Sequence, residues 1–159
     1  GVFVERFEKV SVSPNLGLLL DYWSGLCFGR RMPARADIDP MDMPRHLLPN
    51  ILLIQVFHDP LRFYYRLMGT AIADILGEDW TGKFSDEIQL AHENVRLQYI
   101  ETVEKAAPTI YLNQYSKYDP SVGYERLLNY ERVLLPLSDD DAVVHHLLGA
   151  TLAKPAGRP

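Results

Sequence analysis

The sequence predicts an α+β fold: one five-stranded antiparallel sheet with helices covering one face, preceded by an amphipathic N-terminal helix. Two observations support this prediction. Residues 51–57 and 62–68 are apolar and aromatic runs separated by Asp59 and Pro60, a turn signal typical of a β-hairpin. Three more strand-like segments follow residue 108, with a short loop between each and the next, and strands joined by short loops pair antiparallel.

Length and composition are those of a single globular domain. The chain has 159 residues, of which 47% are hydrophobic and 23% are charged. The net charge of −5 argues against binding of a nucleic-acid backbone. No apolar run approaches the roughly 20 residues of a membrane span, and the N-terminus lacks a signal-peptide pattern. We therefore expect a cytoplasmic protein with neither a nucleic-acid nor a membrane partner, and the one cysteine fits a reducing compartment.

Four parts follow one another along the chain. They are an N-terminal arm (1–14), a helix with a proline-rich linker (15–49), the core of the fold (50–153) and a flexible tail (154–159). The arm shows no sustained hydrophobic period, so we expect it to become ordered only against another surface.

The first helix is predicted from Asn15, a plausible N-cap, to Phe28, before Gly29. Apolar residues recur through it at helical spacing. This stripe must cover either the protein's own sheet or a partner, and it is the first candidate for a homodimer interface. The candidate interface residues are Leu16, Leu19, Leu20 and Trp23.

The linker contains four prolines between residues 30 and 50, which forbid a long helix. We expect it to be extended, with one short helical turn from Pro40 to Leu47 and Asp39 as its N-cap. At Gly69, after the hairpin, the apolar period changes from two to about 3.6, which predicts a helix capped by Thr70. A second helix is predicted at 93–105.

The last three strands are predicted at 109–118, 124–137 and 143–152. Alternation places Tyr111 and Asn113 on one face of the first of them. In the second strand, Tyr130 and Arg132 point away from the face of Glu131. A register slip of one residue would exchange the two faces of either strand.

Several short segments are similar to a bacterial family of stand-alone PAS-like proteins. The resemblance covers roughly residues 16–150, and its segments are Tyr22-Trp23, Gly29-Arg30, Arg35 to Pro40, Leu67 to Thr70, Trp80 to Lys83, Tyr130 to Arg132 and Leu134 to Asp139. It implies a PAS fold, with helices between the second and third of five strands and a pocket between sheet and helices. It also implies a non-enzymatic sensing or docking module.

Aromatic and amide side chains would cluster on the helix-covered face of such a fold. Apolar cavities with a few polar groups are how small-molecule sites are built, but the same residues could fill a core. The candidate pocket residues are Tyr65, Leu67, Trp80, Tyr99, Tyr111, Asn113, Tyr115, Asn129 and His145.

The sequence lacks the patterns of the common catalytic and metal sites. It has no Gly-x-Ser-x-Gly elbow and no glycine-rich phosphate loop. His145 and His146 are adjacent in a predicted strand, so they point to opposite faces and cannot hold one metal ion together. Catalysis in the pocket would require a carboxylate or histidine there, and Glu131 and His145 are the residues to inspect. Whether the protein binds a cofactor, and which one, is left open by the sequence.

The leading hypothesis is a non-enzymatic PAS-like sensory module. It would bind a small apolar or aromatic ligand, dock a separate regulatory protein, or do both, as a homodimer. Two alternatives remain open at this point. One is a ligand-free interaction scaffold with a filled core, and the other is an enzyme acting on a small substrate in the same cavity.

Overall fold

The computed structural model describes residues 2–6, 13–88 and 93–154. Within these ranges the side chains of 2–6, 93–94, 114–117, 126–128 and 154 are not described. The centre of the fold is a six-stranded antiparallel sheet in the order β1-β4-β5-β6-β2-β3. Its strands are β1 (Val2–Arg6), β2 (Ile51–Phe57), β3 (Arg62–Met68), β4 (Thr109–Asp119), β5 (Tyr124–Leu137) and β6 (His146–Lys154).

In the described ranges, three α-helices and four short 3-10 segments accompany the sheet. The helices are α1 (Pro14–Gly25), α2 (Thr70–Leu76) and α3 (Glu93–Lys105). The 3-10 segments are Arg35–Asp37, Pro40–Asp42, Arg45–Asn50 and Ser85–Glu87. No helix in the described ranges is long and apolar enough to cross a membrane.

The predicted α+β fold with its five antiparallel strands is confirmed, and β1 adds a sixth strand. β1 pairs with β4, with Val4 opposite Asn113. Residues 2–6 of the arm thus lie along an edge of β4, and ordering of the arm only against another surface remains a prediction. The remaining arm residues 7–12 lie outside the described part of the chain, as do tail residues 155–159.

Strand β6 begins three residues later than predicted. Residues 139–143 form a turn around Asp140, whose carboxylate accepts hydrogen bonds from the backbone N–H groups of Ala142 and Val143 at 2.9 and 2.8 Å. This arrangement keeps Val143 out of the strand and places His145 just before it.

The helix boundaries differ from prediction at two N-termini and at the C-terminus of α1, which ends at Gly25 rather than at Phe28, whose φ of 48° is not helical. Helix α1 begins at Pro14 after Ser13, because proline suits the first helical turn, where its missing N–H costs nothing. Gly69, rather than Thr70, takes the N-cap position of α2. In the linker, Asp39 does cap a segment beginning at Pro40, since its carboxylate accepts from the Met41 N–H at 2.9 Å. This segment ends at Asp42 rather than at Leu47, and the linker contains two further 3-10 segments in place of the single turn expected.

Both faces of the central strand β5 are covered. On one face, the backbone N–H of Ser13, next to α1, donates to Glu131 Oε1 at 3.0 Å. On the other face, the side chain of Arg132 is hydrogen-bonded to Gln98 of α3. Consecutive strand residues point to opposite faces, so α1 and α3 enclose the sheet between them. All residues from Tyr130 to Ser138 are consequently buried.

Candidate functional site

A cavity of about 70 Å³ lies between the sheet and the helices α2 and α3. Most of its lining is apolar, and the polar groups lie on the sheet and on α3. The apolar and aromatic lining residues are Leu52, Met68, Ile72, Ile75, Leu76, Trp80, Val95, Tyr99 and Tyr130. The remaining three are Asn113, Arg132 and Thr151. A small, largely apolar space with a few polar groups is the usual form of a ligand site.

Simple periodicities bring the lining residues together. Ile72, Ile75 and Leu76 recur along α2 at spacings of three and four, so they share one helix face. On β5, Tyr130 and Arg132 are two residues apart and share a sheet face. Asn113 of β4 lies directly opposite Tyr130 in the sheet register. The floor of the cavity is therefore formed by neighbouring strands.

Arg132 is the charged group of the cavity, and only 7% of its surface is exposed. Its Nε–H donates to Gln98 Oε1 at 2.7 Å, and its Nη2 lies 3.4 Å from Asn113 Oδ1. Burial lowers the pKa of the guanidinium from its ordinary value. An arginine nevertheless stays charged at neutral pH, so the cavity carries a positive charge.

Gln98 fixes the orientation of Arg132. It is fully buried, and its Nε2 donates to the carbonyl of Arg132 at 3.2 Å and to Thr109 Oγ1 at 3.2 Å. The Thr102 hydroxyl lies 2.7 Å from the Thr109 hydroxyl and donates to the Gln98 carbonyl at 2.7 Å. These bonds link α3 to both β4 and β5. Polar side chains buried together in this way hold one another in fixed directions.

A pair of tyrosines lies beside the guanidinium. The hydroxyls of Tyr65 and Tyr99 are 3.0 Å apart, and Trp80 packs on Tyr65 with ring centroids at 5.3 Å. Burial raises the pKa of Tyr65 and of Tyr99 above the ordinary value, so both hydroxyls stay protonated at neutral pH. The pair therefore presents O–H groups and no negative charge.

Three of the predicted pocket residues, Trp80, Tyr99 and Asn113, line the cavity. Tyr65 is fully buried against two of them. Tyr111 is also buried, but its hydroxyl donates to Glu101 rather than to the cavity.

The other predicted pocket residues lie elsewhere. Leu67 is 46% exposed, and Asn129 is half-buried and not among the lining residues. His145 lies in the turn before β6, where its Nδ1 accepts from the Asp139 N–H at 3.1 Å. Tyr115 belongs to β4, and its side chain lies outside the described part of the structure.

A β-bulge explains why Leu67 leaves the face of Tyr65. Leu53 pairs with Leu67 while Ile54 pairs with Tyr65, so Arg66 is an extra residue in β3. A bulge of this kind breaks the alternation of side chains between the two faces of a strand. Strict alternation would place Tyr65 and Leu67 on the same face of β3, and the bulge between them prevents this.

Sequence reasoning did not include Arg132 among the pocket residues, although alternation placed it on the correct face. The available signal was its position directly before the apolar run Val133 to Leu135, because a lone charge in a buried strand requires a partner. The apolar residues of α2 were predicted only as a helix face. Because α2 is far from β5 along the chain, the sequence does not show that these residues and Arg132 line the same cavity.

The apolar stripe of α1 covers the protein's own sheet. Leu16 and Leu19 are fully buried within one chain, and Trp23 donates from Nε1 to the Pro136 carbonyl at 2.9 Å. Only Leu20 of the candidate interface residues is half-exposed. Packing within one chain accounts for this stripe, and the homodimer remains a prediction.

The two residues singled out for a possible enzyme lie away from the cavity. Glu131 is buried on the opposite sheet face, where it accepts the bond from Ser13. His145 is in the turn described above. Across the described ranges, no three histidine, cysteine, aspartate or glutamate side chains are grouped to hold a metal ion.

Comparison with known protein families agrees with this architecture. A family model described as PAS domain matches residues 12–152. A search of the curated proteins found no match. A solved structure described as that of an RNA-binding Light-Oxygen-Voltage Receptor has a TM-score of 0.45 and 12% identity, and the alignment covers 96% of this chain and 38% of that one. Because the family model spans most of the sequence, the chain belongs to the PAS domain family.

Proposed function

We propose that this PAS domain is a sensory module whose state is set by a small ligand bound between α2, α3 and the sheet. PAS domains are in general sensory and regulatory modules. The observation that carries the proposal is the cavity, in which an apolar lining surrounds one buried arginine and one buried asparagine. A core that served only for stability would gain nothing from an empty space beside a buried charge.

The mechanism follows from the positions of the lining residues. A ligand would contact α2 and α3 on one side and β4 and β5 on the other, so it would favour the arrangement of helices and sheet that fits it. A ligand shifts such an equilibrium only by its difference in affinity for the two states. A separate regulatory protein would then recognise the favoured arrangement, as expected for a module of this kind without enzymatic activity.

Native mass spectrometry of the full chain, purified directly from cells, tests this proposal. Comparison of native and denatured masses reports a non-covalent ligand and the oligomeric state together. We expect an additional mass on the wild-type protein, and its loss from Ile75→Phe, which fills the cavity from α2. Asp74→Ala is the matched control, because Asp74 is the exposed neighbour of Ile75.

The outcomes separate the sensory module from the ligand-free scaffold. A wild-type mass without ligand, together with no binding of added small molecules, would favour the scaffold. Retention of the ligand by folded Ile75→Phe would place its site outside the cavity. A doubled native mass would support the homodimer, whereas a single-chain mass would argue against it.

A further inference from the structure

One end of the cavity presents hydrogen-bond donors and a positive charge. Two groups of the Arg132 guanidinium have hydrogen-bond partners among the described residues. Nε–H donates to Gln98 Oε1 at 2.7 Å, and Nη2 lies 3.4 Å from Asn113 Oδ1. None of the ion pairs seen among the described residues includes Arg132. A buried charge is costly unless an opposite charge and further hydrogen bonds accompany it. Within the described part of the chain, Arg132 therefore shows no charged partner of the kind that its burial requires.

Asn113 adds a second donor at the same place. Its Oδ1 is turned toward Arg132, because the alternative orientation would bring two donor groups together. This leaves Nδ2 as a buried N–H₂ group with no hydrogen-bond partner in the described structure. Only 6% of Asn113 is exposed, and the residue lines the cavity. An unsatisfied buried donor of this kind is rare in native proteins and calls for an acceptor.

The tyrosine pair supplies a third donor. Either hydroxyl can donate in the bond between Tyr65 and Tyr99; when Tyr65 donates, the Tyr99 proton is free, and Tyr99 lines the cavity. The group that complements these donors must itself be an acceptor and must carry negative charge. A carboxylate has both properties, and arginine forms strong paired hydrogen bonds with carboxylates.

The rest of the lining determines what the carboxylate must be attached to. Ile72, Ile75 and Leu76 of α2, together with Trp80, form an apolar wall. Water or an inorganic anion would satisfy the donors but would leave this wall without contacts. The cavity of about 70 Å³ is smaller than the roughly 150 Å³ apolar cavity that accommodates benzene, which favours a short body.

We infer that the cavity selects a small monocarboxylate with a short apolar body. Its carboxylate accepts hydrogen bonds from Arg132, Asn113 and the tyrosine pair, and its body packs against α2 and Trp80. This inference rests on the proposed function and adds the chemical class of the ligand to it. Gln98 is the positioning residue, because it holds the guanidinium in place through Nε and through the Arg132 backbone.

Isothermal titration calorimetry of the full chain at pH 7 tests the inference with paired probes. Acetate, butyrate, hexanoate and benzoate are each compared with the corresponding neutral primary amide. Each pair differs little in shape but differs in charge, so the comparison isolates recognition of the carboxylate. We expect at least one acid to bind about tenfold or more tightly than its amide, as a charged hydrogen-bonded pair implies.

Two variants locate the effect. Arg132→Met retains an apolar stem of similar length without the charge, and it should reduce the affinity for the acid to that for the amide. Arg45→Met is the control, because Arg45 is exposed and does not line the cavity. An unchanged acid affinity in folded Arg132→Met would overturn the inference. If Arg132→Met does not fold, the inference is judged by the difference between the acid and amide affinities of the wild-type protein.

The results distinguish failure of this inference from failure of the proposed function. Amides that bind as tightly as acids would overturn the selection of carboxylates and leave the cavity as a ligand site. Absence of binding by every probe, with no ligand mass on the purified protein, would overturn both. A co-purified ligand would support the inference if it is a monocarboxylate and overturn it otherwise.

Discussion

Gly69 occupies a position with no room for a side chain. A Cβ atom there would lie 2.1 Å from the carbonyl oxygen of Pro49 and 2.9 Å from that of Leu48. Both obstacles are backbone atoms, and the Gly69 N–H is itself bonded to the Ile51 carbonyl at 2.8 Å. The start of α2 is therefore held directly against the segment that leads into β2.

Gly69→Ala should lower the free energy of unfolding by about 3 kcal/mol or more, because the backbone must move to relieve the overlap. Gly17→Ala in α1 is the matched control, since its Cβ would meet nothing within 4 Å. Alanine in a helix interior should raise the stability by about 0.5–1 kcal/mol. Urea unfolding of both variants checks the prediction. Equal midpoints for the two would contradict the close approach at Gly69.

Asp140 makes the turn before β6 sensitive to acid. Hydrogen bonds from the backbone N–H groups of Val143 and Ala142 and from the Ser138 hydroxyl lower its pKa from 3.8 to about 2. Because the folded pKa lies below the unfolded one, ionised Asp140 stabilises the fold at pH values above about 4. This contribution is lost as the pH falls from about 4 to about 2.

Asp140→Ala should therefore be less stable than the wild type at pH 6, and the difference should shrink as the pH approaches 2. Thermal unfolding of both proteins between pH 6 and pH 2 measures this difference. A gap in melting temperature that is the same at both ends of the range would show that the ionised carboxylate does not hold the turn.

At the scale of the element, α1 behaves as part of the core. Its residues Leu16 and Leu19 are completely buried against the sheet, and neighbouring Leu18 is 47% exposed. The hydrophobic stripe was predictable because helical periodicity depends only on local sequence. The surface that the stripe covers was not predictable, because the sequence pattern is the same whether the helix packs on its own sheet or on a second chain.

Leu19→Ala should lower the free energy of unfolding by about 2–5 kcal/mol, because it leaves a cavity between α1 and the sheet. Leu18→Ala should change it by about 0.5 kcal/mol or less, as is usual at exposed sites. Urea unfolding combined with light scattering checks both variants. A change in molecular mass with an unchanged unfolding midpoint would instead identify the stripe as an interface between two copies.

Some features of the strands could be predicted from the sequence, and others could not. The bounds of β2, β3 and β5 follow from runs of apolar and β-branched residues between turn signals, and these are local features. The bulge at Arg66 and the late start of β6 depend on pairing with distant strands and on the turn around Asp140. For these reasons Leu67 and His145 lie outside the cavity, whereas Trp80, Tyr99 and Asn113 line it.

At the scale of the molecule, the cavity extends across most of the sheet, because its lining includes residues of β2, β3, β4, β5 and β6. β4 and β5, which carry Asn113 and Arg132, are joined through β6 to β2 and β3. The fold class was predictable because an ordered set of strands and helices allows few arrangements. The polar end of the cavity was not, because it depends on contacts between α3 and β5 that are 34 residues apart in sequence.

The two faces of β5 have a mechanical consequence. Glu131 holds the backbone ahead of α1, and Arg132, the next residue, lies at the floor of the cavity. Their Cα atoms are separated by one planar peptide of about 3.8 Å, which neither stretches nor bends appreciably. An occupant that displaces Arg132 would therefore act on the same short stretch of backbone that carries Glu131, the contact ahead of α1.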